Sequence, residues 1–241
     1  MTIALRLAEI RERIAGAALR AGRKPEEVAL MAVSKTHPAT AILEAIKAGQ
    51  TLFGENRVQE FAGKHDELAT ASAQARFHLI GHLQSNKAAK AVELFDAVDS
   101  VDSLRLAERL NEAAERLGKR LDVLIEINVG GEAAKTGLAA NSGELFALLD
   151  AQARLTSLTI CGCMTVPPFT EDPGGAREYF RKLRELRDEL RVRSGLPLAE
   201  LSMGMSHDFE VAIEEGSTCV RVGTAIFGSR DYPAPYEEPA Q

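Results

Sequence analysis

The sequence predicts a single (β/α)8 barrel, and three observations carry that expectation. Short apolar runs alternate with helical stretches along the whole 241 residues, and eight such runs can be counted. The clearest, LDVLIEINV at 121–129, is apolar at nearly every position, as in a strand covered on both faces. No GxGxxG follows the first run, which disfavours the alternative of a doubly wound open sheet. Parallel strands joined by helices cross over right-handed, and eight units with no helix-only block favour closure into a barrel.

The elements follow in order. Residues 3–21 read as an opening amphipathic helix, with Leu5, Ile10, Ile14 and Ala17 near helical spacing. VALMAVSK (28–35) is the first strand, and Pro38 starts a helix that Gly49 stops. TLFGEN (51–56) and RFHLIG (76–81) are the second and third strands, followed by helices to about 68 and over 85–95. AVDSV (97–101) precedes a helix over 103–117. The fifth strand, 121–129, leads through GGEAAKTG to a helix over 142–153. LTSLTICGCMTV (155–166) precedes a Pro/Gly loop and a charged helix over 176–194, best read as a solvated face. LAELSM (198–203), a helix over 206–215 and TCVRVGTAIFG (218–228) complete the series. The expected domain is thus 1–230, a barrel with an N-terminal helix, followed by a loose tail over 231–241.

Composition narrows the function. Lys and Arg number 29 against 35 Asp and Glu, a net charge of −6 that argues against binding nucleic acid by phosphate neutralisation. Three cysteines, Cys161, Cys163 and Cys219, make no disulfide framework and suggest a reducing compartment. The first helix is broken by charge, so it is no signal peptide, and no apolar run is long enough to span a membrane. A cytoplasmic protein is expected.

In a barrel the chemistry sits at the C-terminal ends of the strands. Lys35 ends the first strand. Its bland role is a lysine snorkelling to solvent; its functional role is a Schiff-base lysine, whose amine attacks an aldehyde when partial burial keeps it neutral. In VRVGTAIFG, a strand ends at Gly223-Thr224 and opens a helical turn, which offers free amides to an anion. Ser202-Met203-Gly204-Met205-Ser206 follows the seventh strand, and barrel phosphate sites often lie after strands 7 and 8. The ordinary alternative is a turn, with Ser206 capping the next helix. Arg221 would reach the anion or a bound ring, or else pair with Glu126 inside the mouth. His78 and His82 are four apart but at a strand end, so no metal site is expected. Cys161 and Cys163, on one face of a strand, read as core packing.

The blocks AVSKTHP (32–38), FGENRVQE (53–60), FHLIGHLQSNK (77–87), LSMGMSHDFEVAI (201–213) and RVGTAIFG (221–228) resemble the pyridoxal phosphate homeostasis proteins, and the resemblance covers about residues 5–230. That family is similar in fold to the N-terminal barrel of alanine racemase, without its C-terminal β domain. The resemblance implies pyridoxal 5'-phosphate (PLP) as cofactor, held as a Schiff base on Lys35. It implies Ser202, Ser206, Gly223 and Thr224 around the phosphate, Arg221 at the pyridine nitrogen, and Asn56, His82 and Met203 lining the pocket. Arg57 departs from the aromatic residue many relatives carry there, which bears on the pocket rim.

The implied role is intracellular PLP homeostasis, with PLP, amino acids and PLP-dependent apo-enzymes as partners and a monomeric state. No catalytic residue is assigned. Arginine has no acceptor for a proton on the pyridine nitrogen, which weakens the ring as an electron sink. None of Tyr179, Tyr232 and Tyr236 lies at a predicted strand end to serve as a second base. The alternatives are a PLP-dependent amino-acid racemase and a PLP-independent aldolase-type barrel using Lys35.

Overall fold

A computed structural model describes residues 1–69, 72–132 and 135–228; the expected tail over 231–241 lies outside them. Eight parallel strands close into a barrel in sequence order, with β8 returning to pair with β1. They are β1 (Ala29–Val33), β2 (Leu52–Glu55), β3 (Arg76–Leu79), β4 (Ala97–Val101), β5 (Leu121–Glu126), β6 (Leu158–Met164), β7 (Glu200–Met205) and β8 (Cys219–Val222). The predicted barrel is observed.

The helices are α1 (Ile3–Arg20), α2 (Ala39–Lys47), α3 (Val58–Leu68), α4 (Ala88–Leu94), α5 (Leu104–Arg116), α6 (Gly143–Asp150), α7 (Arg177–Ser194), α8 (Phe209–Glu214) and α9 (Thr224–Phe227). Three start on a polar cap: Thr2, Ser103 and Ser142 accept from backbone amides at the heads of α1, α5 and α6. The main core lies between strands and helices and includes Ala32, Phe53, Phe77, Leu79, Val98, Val123, Leu201 and Val222. Strand alternation then turns the intervening side chains into the barrel. Those are unusually polar: His78, Asp99, Ser202 and Arg221 are all buried. No helix of the described residues is long and apolar enough to cross a membrane.

Several boundaries differ from the sequence reading. The fifth strand stops at Glu126, because Ile127–Val129 enters a loop that folds back; Ile127 bridges Leu138, and the Asn128 side-chain amide donates to the Glu132 carbonyl at 2.8 Å. The seventh strand begins two residues later than expected, because Leu198 adopts a φ of 35° and packs as core from a loop. The final apolar run divides into β8 and α9.

Cys161 and Cys163 do not share a face. The β5–β6 register shifts between Val123 and Leu124, so Ile160 and Gly162 face successive residues. Cys161 lines a small polar cavity with His78, Asp99, Asp122 and Glu200, whereas Cys163 packs in the outer core. Burial pushes all three thiols up to about 12.

Gly162 permits the shift, since a Cβ there would run into the Glu200 carbonyl oxygen. Gly162→Ala should therefore cost about 3 kcal/mol, read as a lower urea midpoint. Gly63→Ala is the control: that glycine lies within α3 with open space around it, and alanine there should add about 0.5–1 kcal/mol. Equal midpoints for the two variants would show that the bulge relaxes without strain.

Candidate functional site

The site occupies the C-terminal mouth of the barrel, centred on β1, β7 and β8. Met31 pairs with Arg221 and Ala32 with Val222, so the register continues to Val33 opposite Gly223, and Lys35 follows two residues on. Gly223 packs so closely on β1 that a Cβ there would lie 3.2 Å from the Val33 carbonyl oxygen. On β1, alternation sends Met31 and Val33 toward the barrel axis and Ala32 toward the helices, and Ser34 and Lys35 follow the strand. Lys35 is half-buried at the mouth. His37 stacks on Phe227 of α9 with ring centroids 4.9 Å apart, which joins the two loops.

Arg221 is 4% exposed and sits inside the barrel. Its Nη1 donates to Ser202 Oγ and its Nη2 to the Thr165 carbonyl, each at 2.7 Å. Both acceptors are neutral. The alternative of a direct Arg221–Glu126 ion pair is therefore not what forms. Burial lowers the Arg221 pKa, and the negative groups around it, among them Asp99, Asp208 and Glu126, act in opposition. Glu126 ends β5, where Thr136 Oγ1 donates to its Oε1 at 2.7 Å while Oε2 is buried without a partner. Burial raises the Glu126 pKa, the Thr136 hydrogen bond opposing it.

The two expected anion loops meet. Ser206 does not cap a helix, because Asp208 occupies the N-cap of α8; instead Ser206 Oγ accepts the Gly223 amide at 3.3 Å. Asp208 Oδ1 takes the Met205 amide at 2.6 Å and holds the loop after β7 in shape. At the start of α9, the amides of Thr224 and Ala225 have no intrahelical acceptor. Gly223, Thr224 and Ser206 thus converge on one edge of the mouth.

The remaining expected residues divide. Asn56 is half-buried after β2, its backbone pressed on Gly81. His82 is exposed at the rim, with Nδ1 2.9 Å from Asp102 Oδ2, while His78 turns inward to Asp99 at 3.0 Å. Ser202 is fully buried with its hydroxyl engaged by Arg221. Met203 does not line the pocket: it is fully buried in the outer core, because alternation on β7 turns it toward the helices.

One cluster escaped the sequence reading. Behind Lys35, Lys64 of α3 lies 3.0 Å from Glu55 Oε1 and 2.8 Å from Glu60 Oε1. Ser34 Oγ donates to Glu55 Oε1 at 2.7 Å. Burial raises the Glu55 pKa against the pull of Lys64 and Ser34. At Glu60 burial acts in the same sense, but Lys64 and the Thr36 amide prevail and lower it. Its one signal in the sequence is the i,i+4 spacing of Glu60 and Lys64, which ordinarily marks a solvated helix pair.

Comparison with known proteins agrees with this geometry. The family model described as alanine racemase, N-terminal domain, matches residues 5–231. A pyridoxal phosphate homeostasis protein of Aquifex aeolicus is 45% identical over 228 residues, covering 94% of this chain and 98% of that protein. PipY of Synechococcus elongatus, solved with PLP bound, is 42% identical and superposes with a TM-score of 0.81 over 94% of this chain and all of that one. An alanine racemase of Clostridium difficile shares the fold at 16% identity and a TM-score of 0.68, over 96% of this chain and 58% of its own. The chain belongs to the family of pyridoxal phosphate homeostasis proteins.

Proposed function

We propose that the chain holds PLP at the barrel mouth, covalently on Lys35, as a reservoir for PLP-dependent apo-enzymes and with little turnover of its own. The observation that carries this is the adjacency of a half-buried lysine, a buried arginine and an anion-binding edge on the neighbouring strands β1 and β8. The residues fit the group. Gly223, Thr224 and Ser206 would take the phosphate, and Arg221, with donors left over from its two hydrogen bonds, would face the ring nitrogen. Ser202 acts by orienting Arg221, and Asn56 and His82 border the pocket. Lys35 would supply the amine for the aldehyde of PLP, with water as the leaving group. Bound PLP supplies a ring that can draw electrons from an attached amino acid. Arg221 limits that capacity, since it cannot accept a proton from the ring nitrogen. The PLP-bound PipY relative supports the reading.

The anion edge provides the direct test. Pyridoxal, which lacks the phosphate, should bind at least about 100-fold more weakly than PLP, because a doubly charged group loses several charge-assisted hydrogen bonds. Ser206→Ala should weaken PLP severalfold by releasing the Gly223 amide. Equilibrium titration followed by absorbance reads both, and equal affinity for pyridoxal and PLP would refute the site. Exchange of the L-alanine α-proton in heavy water should stay far below about 1 per second; faster exchange would favour an amino-acid racemase.

A further inference from the structure

The residues on both sides of Lys35 are held by a network that fixes their backbone. Thr36 has a φ of 67°, a left-handed conformation that a β-branched residue adopts only under constraint. The Thr36 amide donates to Glu60 Oε1, the oxygen that also receives Lys64 Nζ. Lys64 in turn donates to the Ser34 carbonyl at 3.3 Å, and Ser34 Oγ donates to Glu55. The turn closes through the His37 amide, which donates to the Ser34 carbonyl at 3.1 Å. Glu55 is fully buried and the Lys64 side chain is 11% exposed, so water competes weakly for their contact, while the Thr36–Glu60 bond lies at the exposed end of the network.

The strained turn has a clear geometric effect. Strand β1 ends at Val33, and an extended continuation would carry the chain past the mouth. The left-handed step at Thr36 instead turns the chain immediately after Lys35, which stays half-buried just past the end of β1. Thr36 has no intrinsic preference for that step; its hydroxyl donates to the Lys35 carbonyl at 2.6 Å, and the acceptor of its amide belongs to α3.

We propose that Glu60 is the positioning residue for Lys35: its carboxylate, fixed by Lys64, takes the Thr36 amide and sets the turn that aims the Lys35 amine. This deepens the PLP reading and rests on it. Glu60 would act through the Thr36 backbone amide.

The test compares two ligands, PLP and pyridoxamine 5'-phosphate. The second carries the same ring and phosphate but an amine where PLP has the aldehyde, so it cannot condense with Lys35. Glu60→Ala should weaken PLP about tenfold, the loss of one charge-assisted hydrogen bond, and leave pyridoxamine 5'-phosphate within about twofold. Glu60→Gln keeps an oxygen for the amide and should fall between wild type and Glu60→Ala. Adding Thr36→Gly to Glu60→Ala should recover most of the PLP affinity, since glycine takes a positive φ without steric cost. Equal losses for both ligands, no loss, or no recovery in the double variant would overturn the proposal. The underlying reading fails separately: the wild type would then bind the two ligands equally and, after borohydride, carry no label on Lys35.

Discussion

Borohydride reduction of the PLP-loaded chain is expected to fix the cofactor on the peptide that contains Lys35, and Lys35→Ala is expected to weaken PLP by about 100-fold or more. Reduction converts the carbon–nitrogen double bond to a stable amine, so mass mapping identifies the lysine without relying on affinity. The expected loss is large because the covalent bond and the close fit at Lys35 disappear together, and each factor of ten corresponds to about 1.4 kcal/mol. The fold should persist, since Lys35 is half-buried at a strand end and not part of the apolar core. A wild-type label on another lysine, or unchanged affinity in Lys35→Ala, would remove Lys35 from the anchoring role.

The second large effect is expected at Arg221, where binding and stability should separate. A buried guanidinium facing two neutral acceptors is an expensive arrangement, and burial already lowers its pKa. Arg221→Met keeps the stem volume and removes the charge. It leaves Ser202 Oγ and the Thr165 carbonyl short of a donor, at about 1–3 kcal/mol each. Relief of the buried charge offsets that loss, so the urea midpoint should move by no more than about 1 kcal/mol. PLP affinity should nevertheless fall about tenfold or more, with a shifted absorption band, because the ring nitrogen loses its donor. A variant that unfolds but binds normally when stabilised would show that Arg221 is a structural residue.

Much of this was legible in the chain. The eight strands stand out because each apolar run is short and bounded, and the predicted fourth strand coincides with Ala97–Val101. The strand-end positions of Lys35, Arg221 and the Gly223-Thr224 turn were legible because each closes or follows a short apolar run. What failed was local geometry decided by distant partners. The Cys161/Cys163 reading assumed an unbroken period of two, which the β5–β6 bulge interrupts. The Ser206 cap was a sound local expectation, but Gly223 supplied a competing partner and Asp208 took the N-cap. Met203 was placed in the pocket by its neighbours in the motif, whereas strand alternation turns it outward. The Glu60–Lys64 network depends on Glu55, which only the folded chain brings alongside.

The closure of β8 onto β1 also has a consequence for synthesis. Lys35 leaves the ribosome well before Gly223 and Thr224. Their registration depends on the last strand docking against the first, the longest-range pairing in the barrel and the slowest kind of contact to form. A nascent chain therefore exposes its amine long before it has an anion seat or a buried guanidinium beside it. PLP is a reactive aldehyde, and an isolated lysine holds it loosely and without discrimination. If PLP is held as proposed, a chain that stalls before β8 is made lacks Arg221 and the Gly223-Thr224 edge, and it should retain PLP less well than the closed barrel.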